Sequence, residues 1–185
     1  PGTPVEIEEN LIANGSFEIV SVDWPDGFGR FTGAGTPVFA VDSQVKRTGE
    51  RSISITADKD SRGNTHTSVG VEGDASYRLT VWYRATEGIE PGDIIVRLQA
   101  YDGDNNKVNW DLDWVYDRSE VDAHVASGNL SINPLSTVTP GDTWQSLTAS
   151  FTVPANVTKI SIDLWNWYGE GTVWYDDLSL VPVKS

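Results

Sequence analysis

The chain has 185 residues, the length of one ordinary domain. With 13 Lys+Arg against 27 Asp+Glu, its formal net charge is −14, which disfavours nucleic acid and anionic membranes as partners. It has no cysteine, so disulfides, thiolate metal sites and cysteine nucleophiles are excluded, and no apolar run of the ~18 residues that a spanning helix needs.

Taken in order, residues 1–9 read as a linker or first strand and residues 10–183 as one module. The opening Pro1-Gly2-Thr3-Pro4 lacks a Met and the features of a signal peptide, as expected for a processed or excised piece. Seventeen Gly and nine Pro then punctuate short segments of alternating polarity. These lie at 51–56, 77–83, 94–101, 147–153 and 159–167, and 173–181 closes the series. Many short strands with little helical periodicity predict an all-β sandwich or barrel; 119–126 offers one short helical turn at most. The longest irregular stretch, 102–142, opens on the turn signal Asp102-Gly103-Asp104-Asn105-Asn106 and continues into an aromatic block at 109–116.

Neighbours on a strand point to opposite faces. In 159–167 the core set is Ile160, Ile162 and Leu164, which leaves Ser161, Asp163, Trp165 and Trp167 on the other side. In 77–84 the core set is Tyr77, Leu79, Val81 and Tyr83, opposite Arg78, Thr80, Trp82 and Arg84. In 94–101, Ile94, Val96, Leu98 and Ala100 stand against Ile95, Arg97, Gln99 and Tyr101. The expected non-core surface therefore carries Trp82, Arg84, Arg97, Gln99, Tyr101, Asp163, Trp165 and Trp167. Aromatics exposed as a group mark binding sites, although strand propensity and cover by the long loop would also place them there.

Flat aromatics among Asp, Arg and Gln suit a pyranose, which presents an apolar C–H face fringed by hydroxyls. A covered Trp buries ~150–250 Å². At ~25 cal/mol per Å² that is about 4–6 kcal/mol gross, much of it offset by ordering and desolvation, so micromolar-to-millimolar affinity is expected.

Five segments carry a family resemblance. They are Asn10-Leu11-Ile12-Ala13-Asn14-Gly15-Ser16-Phe17-Glu18, then Thr48-Gly49-Glu50-Arg51-Ser52-Ile53-Ser54-Ile55, and Tyr77-Arg78-Leu79-Thr80-Val81-Trp82-Tyr83-Arg84-Ala85. They continue with Trp144-Gln145-Ser146-Leu147 running to Phe151-Thr152-Val153-Pro154, and end with Val173-Trp174-Tyr175-Asp176-Asp177-Leu178-Ser179-Leu180. In this order they resemble the carbohydrate-binding modules of the superfamily that holds families four, nine, sixteen and twenty-two. The resemblance implies a β-jelly-roll sandwich of two antiparallel sheets that binds polysaccharide without catalysis, appended to a secreted bacterial polysaccharide-degrading enzyme. The expected ligand is a neutral β-glycan, glucan ahead of xylan or mannan, and the expected state is a monomer.

The same resemblance implies a structural calcium, with carboxylates from Glu18 and Asp176 and backbone carbonyls near Ser16, Gly49 and Ser52. Calcium takes six to eight oxygens of this mixed kind; the alternative is an Asp176 held by backbone or a basic partner. Trp24 takes the place of a loop aromatic in such modules and is either a ligand contact or a loop anchor. Trp110, Trp114 and Tyr116 lie in an insertion longer and more aromatic than the family's, and either extend the platform, roof it, or pack beneath the loop.

Two alternatives stay open. An acidic polysaccharide would promote Arg84 and Arg97 to primary contacts. A small jelly-roll lyase or glycosidase would use Arg97 and Tyr101 or paired carboxylates, but Asp111 and Asp113 point the same way and no His joins Arg97 by sequence. His66 and His124 are expected at the surface or in loops.

Overall fold

The computed structural model describes residues 9–110, 131–132 and 138–184. Eleven strands run in the order β1 (Gly29–Ala34), β2 (Val38–Asp42), β3 (Ser52–Ala57), β4 (Arg62–Gly70), β5 (Ser76–Ala85), β6 (Ile94–Asp102), β7 (Lys107–Val108), β8 (Ser131–Ile132), β9 (Gln145–Thr152), β10 (Val157–Trp167) and β11 (Gly171–Pro182). A single 3-10 turn at Pro91–Asp93 is the only helix among the described residues. The front sheet has the order β1-β4-β10-β6-β7 and the back sheet β2-β3-β11-β5-β9-β8, with antiparallel strand pairing throughout. The two face each other as a jelly-roll β-sandwich, as expected from the strand pattern and the resemblance.

Alternation sets the core. β5 buries Tyr77, Leu79, Val81, Tyr83 and Ala85; β6 buries Ile94, Val96, Leu98 and Ala100; β10 buries Ile160, Ile162 and Leu164. A residue slip would turn every one of these to water, so the pattern fixes register. β11 breaks step. Its register on β5 shifts between Asp176 and Ser179, and Asp177 has φ 50°, a left-handed conformation that Asp tolerates. The bulge keeps Val173 and Tyr175 inward before it and Leu178 and Leu180 inward after it. It also sinks the Asp176 carboxylate completely.

Two buried polar ties hold β10 against the back sheet. Tyr175 Oη donates to the Trp165 carbonyl at 2.6 Å, and burial raises this phenol far above its ordinary pKa. Asn166 Nδ2 donates to the carbonyls of Ile55 and Gly171 while its Oδ1 accepts from Gly169 N–H. The strand that carries the outward Trp165 and Trp167 is thereby pinned from behind. The turn at 102–106 is a capped hairpin, as its sequence predicts: Asp102 Oδ1 accepts from Asp104 and Asn106 N–H.

Candidate ligand-binding cleft

β10 is the central strand of the front sheet, and its outward residues meet outward residues of β4 and β6. Asp163 stands between His66 and Arg97, Ser161 between Ser68 and Gln99, and Trp165 between Asn64 and Ile95. One strand further out, β1 sets Gly29 opposite His66 and Phe31 opposite Asn64. The result is a cleft of about 340 Å³ that crosses the strands. It is lined by Phe31, Asn64, His66, Arg97, Gln99, Tyr101, Ser161, Asp163 and Trp165. A larger hollow of about 780 Å³ lies between residues 70–77 and 182–184, but Tyr77 is its only aromatic and it lacks this convergence of planar polar groups.

The floor is hydrogen-bonded into a network. With the Gln99 amide turned to satisfy both neighbours, its oxygen accepts from the Arg97 guanidinium at 2.9 Å and its nitrogen donates to Tyr101 Oη at 3.1 Å. Ser161 Oγ donates to Asp163 Oδ1 at 3.2 Å, and His66 Nδ1 lies 3.0 Å from Asn64 Oδ1. Lys159 sits over the Tyr101 ring at 4.9 Å, closing that end. At the other end Phe31 meets Trp165 edge-on at 6.1 Å, Trp165 meets Trp167 at 4.9 Å, and the Arg62 guanidinium covers Trp167 at 4.3 Å. The formal charges Arg97 and Asp163 face each other across one strand gap, so the floor has no large net charge.

The structure brings together Arg97, Gln99, Tyr101, Asp163, Trp165 and Trp167 as alternation predicts, and separates the others. Trp82 and Arg84 belong to β5, and so to the back sheet, whose outward face is the opposite surface of the sandwich. Both are already engaged there: Arg47 stacks on Trp82 at 3.6 Å, and Arg84 pairs with Asp142 at 2.7 Å and covers Trp174 at 5.6 Å. Trp24 takes the anchor place of its two expected places. It is 7% exposed, donates to Thr65 Oγ1 and packs edge-on against Phe39. Trp110 packs on the core, with Nε1 bonded to the Leu98 carbonyl and its ring against Phe151. Trp114, Tyr116, Asp111, Asp113 and His124 lie outside the described residues, as does 119–126.

One predicted role changes. Trp165 is only 4% exposed, so its ring is not an open platform; the accessible ring is that of Phe31, 52% exposed. Phe31 and His66 were not legible beforehand, because neither β1 nor β4 alternates apolar with polar. The outer face of β1 reads Gly29, Phe31, Gly33. A Cβ on Gly29 would lie 2.4 Å from His66 Nε2, and one on Gly33 2.7 Å from Arg62 Nε. The β4 side chains lie down over these glycines, and Phe31 stands up between them.

No protein-family model and no curated protein matches the sequence. Among solved structures, the enzymatically active domain of bacteriophage CBA120 tailspike protein 4 superposes with a TM-score of 0.66 at 13% identity, over 94% of this chain and 21% of the tailspike chain. The chain therefore spans about a fifth of that protein. The CBM22-1 xylan-binding domain of Paenibacillus barcinonensis Xyn10C gives 0.60 at 14% identity, over 98% of this chain and 99% of the domain. TmCBM61, solved with β-1,4-galactotriose, gives 0.57 at 15% identity, covering 95% and 99%. The chain has the fold of the jelly-roll carbohydrate-binding modules. Identities this low establish the fold, and function must be argued from the site.

The sequence resemblance implies a calcium, and four of its expected ligands, Glu18, Gly49, Ser52 and Asp176, lie on or bond to the 45–52 loop. Glu18 accepts from Glu50 and Arg51 N–H at 3.0 and 3.2 Å, and Asp176 Oδ2 accepts from Arg47 and Thr48 N–H at 2.9 and 3.3 Å. Gly49, at φ +64°, passes so close to Glu18 that a Cβ would lie 2.3 Å from Oε1. Ser52 Oγ donates to the Val45 carbonyl across the same loop. Burial, with Asp177 beside it, pushes Asp176 up to about 6 against the opposing backbone N–H groups. Among the described residues no three acidic or imidazole side chains gather as a metal group, so a cation there would draw most of its oxygens from carbonyls. The donor types are those a hard cation takes, two carboxylates beside a tight loop, and both are met here by backbone N–H groups, the alternative expected for Asp176.

Proposed function

We propose that this chain is a non-catalytic module that holds a β-glycan in the front-sheet cleft and so tethers an appended polysaccharide-degrading enzyme to its substrate outside the cell. The observation that carries the proposal is the meeting, on one sheet face, of an exposed Phe31 with Arg97, Gln99, Tyr101, Asp163, Asn64 and His66. Phe31, with Tyr101 and Trp167 at the edges, offers apolar cover to pyranose faces. The planar polar groups between them accept and donate to hydroxyls in pairs, which is how a neutral polyol is read. The facing Arg97 and Asp163 favour a neutral chain over a polyanion. The similar structures point the same way by what they are described as binding: xylan in one, β-1,4-galactotriose in another. Within neutral β-glycans we rank glucan ahead of xylan and mannan.

Affinity electrophoresis against mixed-linkage β-glucan, xylan, glucomannan and a polyuronate tests this. Retardation by a neutral glycan is the expected result; retardation by the polyuronate alone would replace the neutral ligand with an acidic one held by Arg97. One observation favours a second reading, β-elimination on a uronate chain: His66 joins Arg97 and Tyr101 in the cleft. It ranks lower because Nδ1 is engaged with Asn64 Oδ1 and because Asp163, set between His66 and Arg97, opposes a uronate carboxylate there. Unsaturated products from the polyuronate would establish it.

We further propose that calcium binds at Glu18 and Asp176, with carbonyls near Ser16, Gly49 and Ser52, and stabilises the fold. Its chemistry there would be charge neutralisation alone. Glu18 and Asp176 would serve to brace the 45–52 loop, far in the sequence from β10 and β6.

A further inference from the structure

Among the described residues two buried groups make no hydrogen bond, Arg62 Nε and Trp165 Nε1, both at the end of the cleft where Arg62 covers Trp167 and Trp167 meets Trp165. Trp165 Nε1 is sealed from water. Its neighbours on the sheet are satisfied: Asn64 binds His66, and Gln99 binds Arg97 and Tyr101. An orphaned buried N–H is costly and uncommon. Two rings meet this indole edge-on: Trp167, with centroids 4.9 Å apart, and Phe31, a half-exposed ring at 6.1 Å. Phe31 sits on an edge strand, flanked on its own face by Gly29 and Gly33, so no side chain of β1 confines it.

We propose that Phe31 and the Trp165 indole N–H form a ligand-completed subsite at the β1 end of the cleft. A hydroxyl or ring oxygen of the glycan takes the Trp165 Nε1–H, and Phe31 swings from edge-on contact to lie against the face of the same sugar. Trp165 is then a hydrogen-bond donor that reads an oxygen at a fixed position, and Phe31 is the stacking ring. The energetic logic is that the free protein holds a donor unsatisfied and the complex satisfies it, so the gain falls wholly on the bound state. A chain whose sugar lacks an acceptor at that position leaves the indole orphaned and is rejected. This inference rests on the cleft being a glycan site.

The test uses Trp165→Phe, which keeps an aromatic ring and removes the N–H, beside Trp165→Ala and the wild type. Binding to the mixed-linkage β-glucan, xylan and glucomannan is read by affinity electrophoresis, and melting temperature is recorded for each protein. The expected result is that Trp165→Phe melts within a few degrees of wild type and binds about tenfold more weakly, the factor that 1.4 kcal/mol represents. The Trp165 indole proton resonance also moves on saturation with the hexasaccharide of the retained glycan. Wild-type affinity in Trp165→Phe, or an unmoved indole resonance at saturation, overturns the subsite and leaves the cleft as a glycan site. If no neutral glycan retards the wild type, the proposed function fails and the subsite with it.

Discussion

Trp82 and Trp165 looked alike by alternation, each an outward tryptophan on a strand, yet their surroundings differ completely. Trp82 lies under the Arg47 guanidinium on the back of the sandwich, a stacked pair whose exposed members contribute about 0.5–1 kcal/mol. Replacing it by Ala should cost about 1–3 kcal/mol of stability through lost packing and leave glycan retention unchanged, as denaturant unfolding and affinity electrophoresis would record. Phe31→Ala should do the reverse. A ring half in water contributes little to the fold, so melting should barely change, while binding should weaken about tenfold. Sequence pattern found Arg97, Gln99, Tyr101, Asp163 and Trp167 because β6 and β10 have clean apolar faces. It could not separate Trp82 from them, since the pattern assigns a residue to the outside of a strand and is silent about which sheet the strand joins. Phe31 and His66 escaped for a different reason: the face of β1 is Gly-Phe-Gly, and the side chains facing inward from β4 include Thr65 and Thr67.

At the scale of the element, β1 and β4 form one unit in which the absence of side chains on one strand makes space for the other. Gly29 has an ordinary backbone conformation, so an Ala there is limited only by His66. Gly29→Ala should cost about 1–3 kcal/mol by overpacking, and most of that cost should vanish in the His66→Ala background. A double-mutant cycle by denaturant unfolding should give a coupling of about 0.5–3 kcal/mol; strict additivity would show that the two do not compete for space. The β11 bulge is the corresponding device of the back sheet. Its existence was invisible in the run Tyr175-Asp176-Asp177-Leu178, because an unbroken alternation would have placed Leu178 outside. Only the need to bury both Tyr175 and Leu178 demands the extra residue.

At the scale of the whole molecule, a cysteine-free sandwich has to secure its long loops by other means, and the 45–52 loop is held by two carboxylates from distant parts of the chain. If calcium occupies that site at a concentration about a hundredfold above its dissociation constant, it adds about 2.7 kcal/mol. For a domain of this length that is about 5–10 °C in melting temperature. Calorimetry with and without a chelator should show this shift, and Asp176→Asn should abolish it. An unchanged midpoint would leave the carboxylates as backbone braces alone. An all-β sandwich or barrel was legible from strand spacing and the jelly roll only through the family resemblance, whereas the split of outward aromatics between two opposite surfaces was not legible, because it is a property of how strands are ordered within the two sheets.

The central claim is that only the front-sheet cleft holds the glycan. Affinity electrophoresis of the wild type, Phe31→Ala, Tyr101→Ala and Trp82→Ala in a neutral β-glycan gel tests it most directly. The wild type and Trp82→Ala should be retarded equally, and Phe31→Ala and Tyr101→Ala should run nearly free. Retardation lost in Trp82→Ala and kept in Phe31→Ala and Tyr101→Ala would contradict it.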